Sequence, residues 1–177
     1  MSNDLKFKIS HKIIEDNSSN FTIKPLDRGY GITIGNSLRR ALLTAVPGAA
    51  ITNVKIEGAH HEFSTIDGVT EDVADIIMNL KGVRFHLFES KVEPIFLKVK
   101  GPKAFTAADI QAASDDFTIL NPDHHITDIA KGTTLEVELR LGIGKGYKSS
   151  EENKLNNSPV GMIPIDSIFN PVTKVSF

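Results

Sequence analysis

The 177-residue chain has no cysteine. That excludes a disulfide scaffold, a thiolate zinc site and a cysteine nucleophile, and it fits a reducing cytoplasm. It has no tryptophan and only two tyrosines, so it offers few stacking platforms for single-stranded nucleic acid. It lacks a charge excess. Twenty Lys and Arg against 22 Asp and Glu give a net charge of −2, unlike a basic domain that coats phosphates. No run of about 20 apolar residues occurs, so nothing is expected to cross a membrane. The start, MSNDLKFKISHKII, is polar and alternating, with no signal-peptide core and no transit character. No Ser/His/Asp order and no spaced carboxylate pair stands out, so no catalytic residue is expected.

What is present is ordinary globular material: 40% hydrophobic and 24% charged residues, enough for one domain or two small ones. Residues 5–9 (Leu-Lys-Phe-Lys-Ile) alternate like a half-buried strand. A turn cluster at 16–20 and a second alternating run, Phe21 to Lys24, complete a hairpin. A helix is expected from about Thr33 to Val46, ended by Pro47 and Gly48. Val54 and Ile56 mark a strand. A second helix is expected from about Val69 to Lys81, with Val69, Val73, Ile76, Ile77 and Leu80 on one face. Glu71 and Asp72 would sit in its first turn, and Gly82 would form a left-handed cap. Ile95, Leu97 and Val99 alternate as a strand, and so do Leu135, Val137, Leu139 and Leu141. Thr106 and Asp109 have capping-box spacing for one short helix. Ser149 to Ser158 reads as an exposed loop. Two main helices among about eight strands give an α+β fold with mostly antiparallel sheet.

Two glycine segments invite a phosphate-loop reading. Gly29-Tyr-Gly31-Ile-Thr-Ile-Gly35 has one residue too many for the dinucleotide fingerprint, and Asn36 stands where a Walker loop needs lysine. Gly142-Ile-Gly144-Lys-Gly146-Tyr147 opens no helix pattern. Structural turns at Gly29, Gly31, Gly35, Gly144 and Gly146 are the expected reading, and a small phosphate- or nucleotide-binding domain is the alternative. The pairs His60-His61 and His124-His125 resemble metal ligands, but neighbours on a strand point to opposite faces. No metal and no cofactor are expected.

The first helix is more informative. At 100° per residue, Ile34, Leu38, Ala41, Leu42 and Ala45 form one apolar stripe. Asn36, Arg40 and Leu43 project on roughly the opposite side. One reading is scatter, since single exposed leucines are normal; the other is a helix that packs on two sides, one of them serving a partner protein, where arginine is enriched.

At this helix, residues 21–43 (FTIKPLDRGYGITIGNSLRRALL) resemble the signature of the bacterial RNA polymerase alpha subunit, amino-terminal domain. Further stretches resemble that family in order: Glu57 to Thr65 (EGAHHEFST), Gly68 to Val73 (GVTEDV) with Asn79-Leu80-Lys81, Gly144 to Tyr147 (GKGY), and Ile163 to Val172 (IPIDSIFNPV). The resemblance runs from about Phe21 to Phe177. Modest departures are Ser37, where the family often has alanine, and His60, where an apolar residue usually precedes the histidine.

The resemblance implies a non-catalytic subunit of a nucleotidyltransferase complex, cytoplasmic and bacterial. It would dimerise with a second alpha subunit and carry the beta and beta-prime subunits. It implies a discontinuous dimerisation domain, residues 1–48 plus 172–177, with a mainly β domain inserted at 49–171. Arg40 matches the position tied most closely to beta binding, and Leu43 and Asn36 share its face. Lys81, Ile165 and Asp166 match further contact positions for the large subunits. Ile34, Leu38, Ala41, Leu42 and Ala45 would form the dimerisation helix. The family continues past Phe177 with the closing helix of the dimerisation domain, a linker and a DNA-binding domain. No direct DNA binding is therefore expected of these residues, and the helix stripe is expected to be under-covered.

Overall fold

The computed structural model describes residues 7–59, 61–88, 93–155 and 158–177. The chain divides into two compact units: residues up to Leu42 with Val175–Phe177, and Leu43–Lys174.

The first unit holds β1 (Lys8–Glu15), β2 (Ser18–Lys24) and most of α1 (Tyr30–Ala45). The strands form an antiparallel hairpin pairing Ile9 with Ile23 and His11 with Phe21, with an irregularity between Ile13 and Glu15. The turn is shorter than the expected cluster, because β2 resumes at Ser18. Leu5 and Lys6 of the expected first strand lie outside the described residues. Among the described residues of this unit, none is buried. Phe7, Ile9, Ile13, Phe21, Ile32 and Leu38 are all exposed. An isolated hairpin is marginal in water, and so is a 16-residue helix without a packed face.

The second unit has a real core. Its central sheet runs β5 (Ile95–Lys100), β9 (Thr134–Lys145), β3 (Pro47–Ile56), β4 (Phe85–Leu87), β7 (Phe117–Ile119), with β11 (Ile163–Pro164) also pairing with β3. All these pairings are antiparallel. Strands β6 (Lys103–Thr106) and β8 (His125–Ile129) form a separate ribbon, as do β10 (Tyr147–Lys148) and β12 (Ser167–Ile168). Helix α2 (Val73–Lys81) buries Val73, Ile76, Ile77 and Leu80 against the core, where the inward residues Val54, Ile56, Leu97, Leu135, Val137 and Leu139 meet them. Strand period 2 and helix period 3.6 thus face each other, as the alternation predicts. Phe85 and Phe117 cross edge to face at 5.5 Å. Short α3 (Ala107–Gln111) starts with the expected capping box of Thr106 and Asp109.

Several expectations shift. Helix α1 starts at Tyr30, so Gly31 and Gly35 lie inside a helix rather than in a turn. Helix α2 starts four residues later than expected. Asp72 is its N-cap, accepting from the Asp75 N–H at 2.8 Å. Val69 instead bridges Ile129, and Glu71 lies before the helix with its carboxylate bonded to β8. Gly82 has φ −75°, so it is no left-handed cap. A Cβ there would collide with the His124 imidazole, which explains the glycine. Ser149 to Ser158 is not all loop: α4 (Ser150–Asn153) begins with a Ser149–Glu152 capping box. That box follows the S-x-x-E spacing of the sequence. Asn156 and Asn157 lie outside the described residues.

Candidate partner-binding site

Helix α1 carries its two faces into the folded chain. On one, Ile34 is half-buried, Leu38 and Leu42 stay 44% and 38% exposed, and Ala41 and Ala45 are exposed. On the other, Asn36 and Arg40 are exposed and Leu43 is half-buried. Asn36 accepts from Arg39 at 3.4 Å, and the Ser37 hydroxyl bonds the Thr33 carbonyl one turn back at 2.8 Å. The helix therefore presents apolar and cationic groups to solvent along most of its length.

In the second unit, three of the expected contact residues come together although 85 positions separate them. The Lys81 ammonium at the end of α2 forms an ion pair with the Asp166 carboxylate on the returning segment. Ile165 lies buried beside it, its N–H bonded to the Thr52 carbonyl at 2.9 Å. The segment is held from below. Asn153 donates to the Ile165 carbonyl at 2.7 Å and to the Ser167 hydroxyl at 2.9 Å, and Ser167 donates to the Ile51 carbonyl at 2.6 Å. Buried, hydrogen-bonded polar groups of this kind fix one geometry. The end of α2 is clasped as well. His124 bonds the Asn79 carbonyl at 2.8 Å, Asn79 donates to the Ile126 carbonyl at 2.8 Å, and Asn121 donates to the Gly82 carbonyl at 2.9 Å. Lys81 and Asp166 therefore project from fixed backbones. They border a shallow groove also lined by Phe63, Met78, Ile77 and Glu62. Sequence reasoning missed Phe63 and Met78. The signal for Met78 was available, since it falls between the inward positions of α2.

The glycine segments have structural tasks. Gly29, at φ +92°, turns the chain into α1. A Cβ at Gly35 would strike the Phe177 ring. Gly144, paired with Gly48 across β3 and β9, leaves a niche for buried Phe169. Gly146 has φ +61°, and its carbonyl accepts the Phe169 N–H at 2.8 Å. Gly144 is thus a strand glycine that admits a ring, rather than a turn.

The second histidine pair divides, although only His125 lies on a strand. His124 turns to α2, while His125 lies 3.5 Å from Asp128 and 4.0 Å from Glu71. Glu71 already accepts from the Thr127 hydroxyl at 2.6 Å and the Asp128 N–H at 3.0 Å. Burial pushes its carboxyl up, but these bonds to the ionised form outweigh burial and hold it below the ordinary glutamate range. Glu71, His125 and Asp128 could together reach a cation. His60, in the first pair, lies outside the described residues. Among the described residues, no helix is long and apolar enough to cross a membrane.

Comparison with known proteins bears on this arrangement. Residues 54–170 match the family described as RNA polymerase Rpb3/RpoA insert domain. The DNA-directed RNA polymerase subunit alpha of Salinibacter ruber is 51% identical over 164 residues, 93% of this chain and 50% of that protein. The subunit alpha of Chloroherpeton thalassium is 49% identical over 157 residues, covering 89% and 48%. That of Limosilactobacillus reuteri is 48% identical over 170 residues, covering 94% and 54%. The chain spans about half the length of the curated relatives it matches.

Proposed function

The chain belongs to the family of bacterial DNA-directed RNA polymerase alpha subunits, and from that premise we propose that it is a non-catalytic assembly platform. It pairs with a second copy of itself and carries the beta and beta-prime subunits in the cytoplasm. The observation that carries this reading is the hairpin and the 16-residue helix α1, none of whose described residues is buried. Such elements need cover, and we assign part of it to a second copy, since exposed apolar faces mark association surfaces. The division of the chain supports the same reading. Early and late residues form one unit and the residues between form another, which fits a dimerisation part (1–48 with 172–177) interrupted by an inserted part (49–171).

In this scheme Ile34, Leu38, Ala41, Leu42 and Ala45 face the second copy. Arg40, Asn36 and Leu43 face a large subunit, and Lys81, Ile165 and Asp166 form a further large-subunit contact. The test is capture of purified beta subunit by this chain. Arg40→Ala is expected to weaken capture while leaving the melting temperature nearly unchanged, because truncating an exposed side chain removes little stability. An Arg40→Ala chain that unfolds would make Arg40 an internal structural residue and overturn its place on the partner face. A wild-type chain that does not capture beta would overturn the platform reading.

A further inference from the structure

Glu71, His125 and Asp128 belong to none of the contact surfaces assigned above. Residues three apart on a regular strand face opposite sides, so His125 and Asp128 of β8 should diverge. They do not, because the strand bulges. Phe105 pairs with Thr127, but its neighbour Thr106 pairs with His125, which leaves Ile126 as an extra residue in β8. Ile126 and Thr127 are both fully buried, while His125 and Asp128 both stay exposed on the outside. Bulges re-aim side chains in this way.

Glu71 reaches the same spot from the stretch ahead of α2. Its Oε2 accepts from the Thr127 hydroxyl at 2.6 Å and the Asp128 N–H at 3.0 Å, while Oε1 lies 4.0 Å from Nδ1 of His125. The Asp128 carboxylate lies 3.5 Å from Nε2 of the same ring. Among the described residues, this is the one set of three metal-ligating side chains with a donor atom from each within 4.8 Å of the others. Two ligands on one tetrahedral zinc stand roughly 3.3 Å apart, given bonds of about 2.0–2.1 Å. The His125 and Asp128 side chains are 44% and 58% exposed, so both can rotate inward to close the difference. Glu71 needs no such movement, since the buried Thr127 hydroxyl already orients it. Ligating carboxylates are commonly held by hydrogen bonds from the surrounding fold.

We propose that Glu71, His125 and Asp128 form a site for one divalent transition ion of the zinc type. An imidazole with two carboxylates suits zinc, whereas magnesium takes oxygen ligands and gives up its water reluctantly. Three protein donors leave the fourth tetrahedral position to water. The ion staples the lead-in of α2 to β8. Those segments are already joined by the Thr70 N–H to the Asp128 carbonyl at 3.0 Å and by Asn79 to the Ile126 carbonyl at 2.8 Å. The inference does not depend on the platform reading.

The experiment titrates zinc chloride into the whole chain, freed of metal by chelation, and follows heat and melting temperature. One equivalent should bind. At a zinc concentration tenfold above the dissociation constant, the melting temperature should rise by roughly 3–6 °C. His125→Gln and Asp128→Asn should each remove most of that rise, while melting close to wild type in chelator. His86→Gln, at an exposed histidine away from the cluster, should keep the full response. Magnesium chloride should produce no rise. A wild-type response in both His125→Gln and Asp128→Asn would place the ion elsewhere on the surface and overturn the site. So would a wild-type chain whose melting temperature ignores millimolar zinc, or one that responds equally to magnesium.

Discussion

Gly144→Ala tests whether the second glycine segment exists to admit a ring. A Cβ built on Gly144 lies 2.6, 2.7 and 2.9 Å from three ring atoms of Phe169, where ordinary contact begins near 3.4 Å. The ring is only 4% exposed. It cannot retreat by moving its backbone. The Phe169 N–H is bonded to the Gly146 carbonyl at 2.8 Å, and the Phe169 carbonyl occupies the place that a Gly48 Cβ would take. Relief must come from an off-rotamer ring or a shift of β9 against β3. Overpacking of this kind costs about 2–3 kcal/mol. At roughly 2–4 °C per kcal/mol for a chain of this size, the melting temperature should fall by roughly 4–12 °C.

The assay is a double-mutant cycle followed by thermal or urea unfolding. Phe169→Ala alone should cost about 3–5 kcal/mol through the cavity it leaves. With the ring gone, the three nearest atoms that alanine at 144 would strike are removed, and the substitution should add little cost. The two changes should therefore be coupled by about 2–3 kcal/mol, well outside the additivity of independent sites. Full additivity, or an unchanged melting temperature in Gly144→Ala, would refute the niche. The glycine pattern would then need another explanation, and nucleotide binding would be the first to re-examine.

Three further outcomes are expected. Glu71→Gln should destabilise the chain at neutral pH, because a carboxyl whose folded pKa is depressed stabilises above its unfolded pKa. That contribution is lost as pH falls through the folded value. Melts of wild type and variant from neutral pH down to about 3 should therefore converge in acid, and a constant gap would refute the bonding role. Asp72→Ala should cost about 1 kcal/mol in urea unfolding by removing the α2 N-cap, with Asp72→Asn close to wild type; equal losses in both would assign the effect to charge. Leu42→Asp, at a position 38% exposed in the single chain, should abolish the concentration-dependent association seen by light scattering of the wild type, and with it any dependence of the melting temperature on protein concentration. A wild type that stays monomeric throughout a dilution series would show that the stripe needs no partner.

How much of this molecule is legible in its sequence depends on the range of the forces involved. Alternation in Ile95–Lys100 and Thr134–Lys145 gave both strands and their inward faces, because the pleat is local and strict. The Thr106–Asp109 capping box marked α3 for the same reason: both partners sit within one turn. The helical period alone starts α2 too early, because Val69 fits that period by chance. A long-range bridge to Ile129 and the bonds from β8 to Glu71 hold that stretch extended, and neither has a local signature. Gly82 shows the same limit. Its place after a helix suggests a left-handed cap, while its actual task is set by a histidine 42 positions on.

The candidate site divides along the same line. The two faces of α1 follow from periodicity alone, since a helix carries its own geometry. The Lys81 groove does not. Its ion pair, its clasped helix end and its apolar rim are assembled from residues 62–166 by the tertiary fold, and the sign of the charge it presents is inverted by that assembly. From the sequence, Lys81 is a cation at a contact position. In the folded chain Asp166 cancels it, and Glu62 sets what remains. A site's charge therefore cannot be read from the one residue that a motif singles out. It has to be summed over everything the fold brings within a few ångströms, where the interaction of unit charges is worth kilocalories rather than tenths.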